Sequence, residues 1–205
     1  MARKQKQAEP DARTDFLDMG EMHAVPVVPC EAFSAELESS APTLGVYSLS
    51  GVHPEKATAG SAAVDLTAYL PAESLVPIRS AVEGSYEGVV DKLNRIAIPA
   101  GSRALIPTGL FFDIPEGYVM KVFARSGFSF KTGMSLTNSV GIIDSDYKEE
   151  LFISMINLSG NTVLIGDGER IAQAILEPCE FKTIVLTSKP TRTTERSGGF
   201  GSTGV

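Results

Sequence analysis

From Ala63 to Thr187 the chain is a succession of short apolar or alternating runs, each broken within a few residues by Pro, Gly, Asn or Asp. The runs read AVDLTAYL, RALIPT, GLFFDI, YVMKVFA, GMSLT, ELFISMINL, NTVLIG, RIAQAILEP and FKTIVLT, and the breaks include IPAG, IPEG, LSGN and GDGE. Runs this short with this punctuation read as strands joined by turns. Strands at such spacing must pair with one another and bury one face each, so the expected class is all-β, a sandwich or jelly roll. Ser74 to Arg95, SLVPIRSAVEGSYEGVVDKLNR, interrupts the pattern with polar and small residues and reads as a long loop carrying a short helix. LFISMI, Leu151 to Ile156, is apolar at nearly every position. It is either a strand covered on both faces, by neighbouring subunits, or the central strand of one sandwich.

With 205 residues, 43% of them hydrophobic, the chain can build one well-packed domain plus accessory segments. Residues 1–43 mix charge, Pro and Ala with little periodicity and read as an extended or partly disordered arm. A net charge of −7, with no basic stretch beyond Arg3, Lys4 and Lys6, argues against nucleic acid or an anionic membrane as partner. An anionic substrate would need local Arg or Lys, or a divalent cation. Two cysteines, Cys30 and Cys179, make neither a disulfide framework nor a metal cluster, which fits a reducing cytoplasm, or a nucleus reached by diffusion. The N-terminus lacks the apolar core of a secretion signal, and no apolar run approaches a membrane span. The only histidines, His23 and His53, both lie early, so any chemistry is expected to rest on carboxylates and a metal.

Four segments combine residue types that chemistry uses. FARSGFSFKTG sets Arg125, Ser126 and Gly127 at a strand end, where a guanidinium, a hydroxyl and free N–H groups can hold phosphate oxygens. NSVGIIDSDYKEE sets Asp144 and Asp146 two apart, with Tyr147 next and Glu149 and Glu150 behind. Such acids either cap a hairpin, or one of them takes a proton from an attacking water while the ring packs on a flat substrate. GERIAQ carries Gln173 on apolar ground, where its amide needs a structural partner or a ligand. The terminal ERSGGFGSTGV has too little to bury to order alone, yet its glycines, hydroxyls, Arg196 and Phe200 suit a lid over a phosphorylated, ring-bearing ligand.

In this order the segments resemble the trimeric dUTPase family. Its five motifs lie on AGSAAVDLTA (Ala59 to Ala68), ARSGF (Ala124 to Phe128), NSVGIIDSDY (Asn138 to Tyr147), GERIAQ (Gly168 to Gln173) and RSGGFGSTG (Arg196 to Gly204). IPTGLFFDIPEGY is similar to the family's connecting strands, and the resemblance runs from about Val52 to the C-terminus. It implies a jelly-roll (β-clip) subunit in a homotrimer, residues 44–193 forming the β domain with an insertion at 74–95, and 194–205 forming a glycine-rich lid that crosses to a neighbour's site. The implied reaction is dUTP plus water giving dUMP and pyrophosphate, with Mg²⁺ on the triphosphate. By similarity, Asp144 deprotonates the water, Tyr147 packs under the deoxyribose, and Asn138 with Gly141 and Ile143 reads the uracil edge. Arg125, Ser126 and Gly127 hold phosphate oxygens, Gln173 contacts the α-phosphate region, and Asp65 touches water ligands of the Mg²⁺. Arg196, Gly201, Ser202 and Thr203 clasp the phosphates while Phe200 stacks on the base. The chain departs from the common pattern in SAAVDL, in Glu149 where Gly is usual, and in the four-residue spacing of Arg196 and Phe200. The arm and the Ser74 to Arg95 insertion have no counterpart in that pattern and are expected to stabilise the trimer or to engage an unknown protein partner. A dCTP deaminase, or a nucleotide-sensing protein on the same fold, are the rival expectations.

Overall fold

The computed structural model describes residues 43–180 and 182–189. The expected arm and the glycine-rich lid lie outside the described residues. In chain order the elements are β1 (Gly45–Ser48), β2 (Val64–Thr67), β3 (Leu75–Ser80), β4 (Gly84–Val89), β5 (Arg95–Ile98), β6 (Arg103–Pro107), β7 (Leu110–Asp113), β8 (Tyr118–Ala124), α1 (Ser126–Thr132), β9 (Met134–Leu136), β10 (Val140–Ile143), β11 (Phe152–Asn157), β12 (Val163–Gly166) and β13 (Arg170–Pro178). Pairing is antiparallel throughout, in a four-stranded sheet β10-β8-β13-β2, a five-stranded sheet β4-β3-β6-β11-β9, and the two-stranded ladders β1-β7 and β12-β5. The all-β class expected from the punctuated runs is therefore the class found.

One continuous core lies beneath the sheets. Leu66, Met120, Val122 and Ile171 enter it from the four-stranded sheet, Ile78, Ile106, Ile153 and Met155 from the five-stranded one, and Ile96, Ile98 and Ile165 from the β12-β5 ladder. Each such side chain contributes about 1.5–3 kcal/mol on burial. That is well beyond an exposed ion pair such as Lys148–Asp113, so apolar burial holds the sandwich together. Among the described residues, no helix is long and apolar enough to cross a membrane.

Two expectations change and one is refined. Ser74 to Arg95 is not a helix-bearing loop but the hairpin β3–β4, with register Leu75↔Val89 to Ser80↔Gly84. Its alternation is real: Val76 and Ile78 point into the core while Leu75, Pro77 and Arg79 point out. The small residues that disguise it have structural duties. Gly84 takes φ 77° after a turn in which Ser80 Oγ accepts from the N–H groups of Val82 and Glu83, at 3.2 and 3.3 Å. A Cβ on Gly88 would stand 2.6 Å from Ile78 Cδ1 and 2.9 Å from Ile96 Cδ1, so a larger residue there would force both isoleucine side chains to move. Second, LFISMI is covered on one face only by described residues of its own chain: Ile153 and Met155 are buried, Phe152 is exposed. Third, the described part of FKTIVLT, residues 182–187, joins no ladder. Residues 182–189 form no strand and leave Ile184, Val185 and Leu186 exposed.

A buried polar residue closes the loop after β11. Asn157 is inaccessible to solvent; its Nδ2 donates to the carbonyls of Ile98 (2.9 Å) and Asn161 (2.8 Å), and its Oδ1 accepts from Ser159 N (3.0 Å) and Oγ (2.7 Å). Replacing it by Ala strands these groups, and an expected loss of about 2–4 kcal/mol should appear as a lower urea midpoint. An unchanged midpoint would show that the amide does not hold this turn.

Candidate active site

The motif residues gather into two groups. The first is built where β2, β8 and β13 lie side by side, with Asp65 opposite Gln173 and Gln173 opposite Phe123. β8 ends at Ala124, and Arg125, still extended (φ −89°, ψ 125°), caps α1 without a side-chain cap bond. Arg125 Nε donates to Asp65 Oδ1 at 2.6 Å and Nη1 to the Arg170 carbonyl at 3.1 Å. Arg170 Nη1 donates to Asp65 Oδ2 at 3.1 Å. One largely buried carboxylate is thus gripped by two arginines, which fixes the Arg125 guanidinium in place. A bulge at Arg170–Ala172 shifts the β13–β2 register beside this contact. Gln173 Nε2 donates to the Ala124 carbonyl at 3.0 Å, the structural partner its amide required.

Asp65, Arg125, Ser126, Gly127 and Gln173 line a shallow cleft of about 320 Å³. An adjoining cleft adds Lys131 and Arg170, facing a single acid, Glu169. Arg125, Lys131 and Arg170 against two carboxylates, Asp65 and Glu169, leave the paired clefts net positive, and beside the uncapped first-turn N–H groups of α1 this suits a polyphosphate. Lys131 and Arg170 did not stand out in the sequence. Arg170 sat within GERIAQ, but only its approach to Asp65, 105 positions away, shows its use.

The second group is built where the chain leaves one sheet for the other. β9 is the outermost strand of the five-stranded sheet and β10 the outermost of the four-stranded one, so the two diverge although three residues join them. Asn138 stands at the apex. Val140 N donates to its carbonyl at 2.6 Å, and Ser139 holds a left-handed φ of 62°. Between the strands lies a slot lined by Leu136, Asn138, Gly141, Ile142, Ile143 and Ser154, among others. Two outermost strands carry unpaired backbone donors and acceptors, the pattern that an imide ring edge can match. A Cβ on Gly141 would sit 3.1 Å from Val122 Cβ and 3.7 Å from Asn138 Nδ2, so any side chain there would press on Val122.

Asp144 follows β10 directly and is exposed. It lines, with Ile143 and Tyr147, a second cavity that shares Ile142, Ile143, Leu151 and Phe152 with the slot. Tyr147 N donates to the Asp144 carbonyl at 3.2 Å and Tyr147 Oη to the Glu150 carbonyl at 2.7 Å, so the ring is held in a turn. Burial, reinforced by the charges of Glu149 and Glu150, raises the Tyr147 phenol above its usual value and keeps it a neutral donor.

The two groups do not meet within one chain. Ile143 pairs with Met120 and Val140 with Phe123, so Asp144 leaves β10 at the end of β8 away from Arg125. Met120 and Arg125 are five residues apart on extended backbone, about 17 Å at the strand rise. No residue lines both the Arg125 cleft and the Asp144 cavity. Arg196, Phe200, Gly201, Ser202 and Thr203 lie outside the described residues.

Comparison with known proteins gives a consistent picture. The dUTPase family model matches residues 90–204. A deoxyuridine 5'-triphosphate nucleotidohydrolase of Brucella melitensis is 38% identical over 171 residues, 82% of this chain and 96% of the relative. The crystal structure of dUTPase from Streptococcus mutans, 27% identical, superposes with a TM-score of 0.53 over 68% of this chain and 98% of that one. The Staphylococcus bacteriophage 80alpha dUTPase solved with dUPNHPP, 25% identical, gives 0.62 over 80% of this chain and 100% of that one.

Proposed function

The chain belongs to the dUTPase family, and on that premise we propose that it hydrolyses dUTP to dUMP and pyrophosphate by attack of water on the α-phosphorus. The observation that carries the mechanism is the division of the motif residues between the two ends of β8. A uracil slot continuous with Asp144 and Tyr147 lies at one place, a cationic cleft at another, and one substrate needs both. Completion by a second copy of the chain resolves this, and a homotrimer with three shared sites is the assembly we propose.

In that site the unpaired strand edges and Asn138 take the uracil edge, and Gly141 permits the close approach. The Tyr147 ring packs under the deoxyribose and leaves no room for a 2′-hydroxyl. Arg125, held by Asp65, and Ser126 and Gly127 take phosphate oxygens, with Gln173 beside the α-phosphate. Asp144 accepts the proton of the attacking water as the new P–O bond forms and the bond to the pyrophosphate oxygen breaks. No covalent nucleophile is needed, because positioning and charge stabilisation supply most of the acceleration. The stretch 194–205 brings Arg196, Gly201, Ser202 and Thr203 to the phosphates and Phe200 to the base, sealing out bulk water.

A divalent cation fits these residues as a companion of the substrate. Among the described residues no three His, Cys, Asp or Glu side chains converge, and both Asp65 oxygens already accept from arginines. Each carboxylate oxygen still has lone-pair capacity for a water, so Asp65 suits the hydration shell of a Mg²⁺ carried on the phosphates. Such an ion, when bound, neutralises phosphate charge. The composition with two cysteines supports a reducing, cytoplasmic setting.

Pyrophosphate release with Mg²⁺ tests the reaction, with UTP, dTTP and dCTP run beside dUTP. Release from dUTP alone is expected. Deamination of dCTP would replace the assignment by a deaminase, and dUTP binding without turnover would replace it by a sensing protein.

A further inference from the structure

The outer face of the five-stranded sheet carries a feature that dUTP hydrolysis does not use. Arg79 of β3 and Arg103 of β6 are direct cross-strand partners. Their side chains therefore leave the sheet on the same face, with Cβ atoms about 5 Å apart. Like charges so placed oppose folding unless something negative lies between them. Nothing negative does so among the described residues. Arg79 Nη1 donates to the neutral Ser85 Oγ at 3.0 Å, and neither arginine forms an ion pair with a described residue. Glu87 of β4, opposite Pro77 and on the same face, forms no ion pair with Arg79 and does not line the concavity beside the arginines.

The two arginines wall a concavity of about 280 Å³ with Pro77, Leu105, Thr137 and Ser154. No acid lines it, in a chain where 25 acids outnumber 18 Lys and Arg. A volume far above the ~30 Å³ share of one water accommodates a phosphate or diphosphate. Two hydroxyls complete the polar lining; Thr137 Oγ1 donates to Ser154 Oγ at 2.6 Å. Both hydroxyls can turn to an oxyanion as donors, and paired guanidinium forks match tetrahedral oxygens better than a halide.

We propose that this concavity binds a phosphoryl anion, Arg79 and Arg103 taking its oxygens and Thr137 and Ser154 donating from the far wall. The site is distinct from the Arg125 cleft, with which it shares no lining residue. It does border the slot at Asn138 and, through Leu105, the Asp144 cavity. Ser154 lines both the concavity and the slot, and Thr137, whose N–H donates to the Ser154 carbonyl at 3.0 Å, precedes Asn138. The anion is either free phosphate or the phosphate of a nucleotide whose base rests on Pro77 and Leu105.

The test is calorimetric titration of the full-length protein with inorganic phosphate and, separately, with AMP, at ionic strength fixed with sodium chloride. Arg79→Gln and Arg103→Gln are each expected to lower phosphate affinity about 10- to 100-fold, the loss of one charge-assisted contact. In thermal melts without phosphate, each variant should be no less stable than the parent, since the repulsion is relieved, and should lose the phosphate-induced rise in Tm. Tighter binding of AMP than of phosphate identifies a nucleotide site, and equal binding a free-phosphate site. Phosphate affinity unchanged in both variants would place the anion in the Arg125 cleft and overturn the proposal, whatever the outcome of the dUTP assay.

Discussion

Replacing Asp144 by Asn lowers dUTP turnover by about 10²- to 10⁴-fold, the range a positioned general base contributes. Nucleotide binding should survive largely intact. The substitution is nearly isosteric, and the contact that holds Asp144 in its turn uses its backbone carbonyl, which accepts from Tyr147 N and is unaffected. Only the capacity to accept a proton is lost. Steady-state pyrophosphate release gives kcat, and titration with a non-hydrolysable dUTP analogue gives the affinity. Retained turnover would remove Asp144 from the base role. A matching collapse of affinity would make the carboxylate a substrate anchor instead.

The second large effect is a recovery. Arg125→Gln removes the guanidinium proposed to take phosphate oxygens, and with it the ion pair to Asp65, so this variant and Asp144→Asn should each be nearly inactive alone. Co-expressed in equal amounts and assembled together, they should regain about a quarter of the parent activity, the share of sites that draw an intact residue from each of two chains. The expectation follows from the placement of the two residues beyond opposite ends of the β8 segment Met120–Ala124. If one chain supplied both groups to a site, every mixed assembly would remain inactive. The experiment therefore separates a shared site from a self-contained one without reference to the size of the assembly.

Much of the fold was legible because short strands announce themselves by their stops. GLFFDI, YVMKVFA and NTVLIG each became a ladder strand. The β3–β4 hairpin escaped because its alternation passes through Pro77, Gly84 and Gly88, residues that ordinarily end a strand. Pro77 is tolerated on β3, and Gly88 answers to side chains from β3 and β5 that no local pattern reveals. The candidate residues were legible as motifs, but their grouping was not. Asn138 and Asp144 belong together because β9 and β10 part company into different sheets, and the grip of Arg170 on Asp65 joins two strands distant in sequence, beside a bulge in their pairing. Composition predicts which residues do chemistry; register decides which of them can do it together.

The packing over Gly88 also bears on how this protein can be dissected. Val76, Ile78 and Val90 are buried in the same core as Ile96 and Ile106, so the hairpin is a wall of the building and not a porch. Cutting out 75–89 would leave Ile78's neighbours facing water and confuse loss of a partner with loss of the protein. The part free to vary is the tip, where Val82 is 93% exposed beside Glu83, and substitutions there can question a partner while the domain stands.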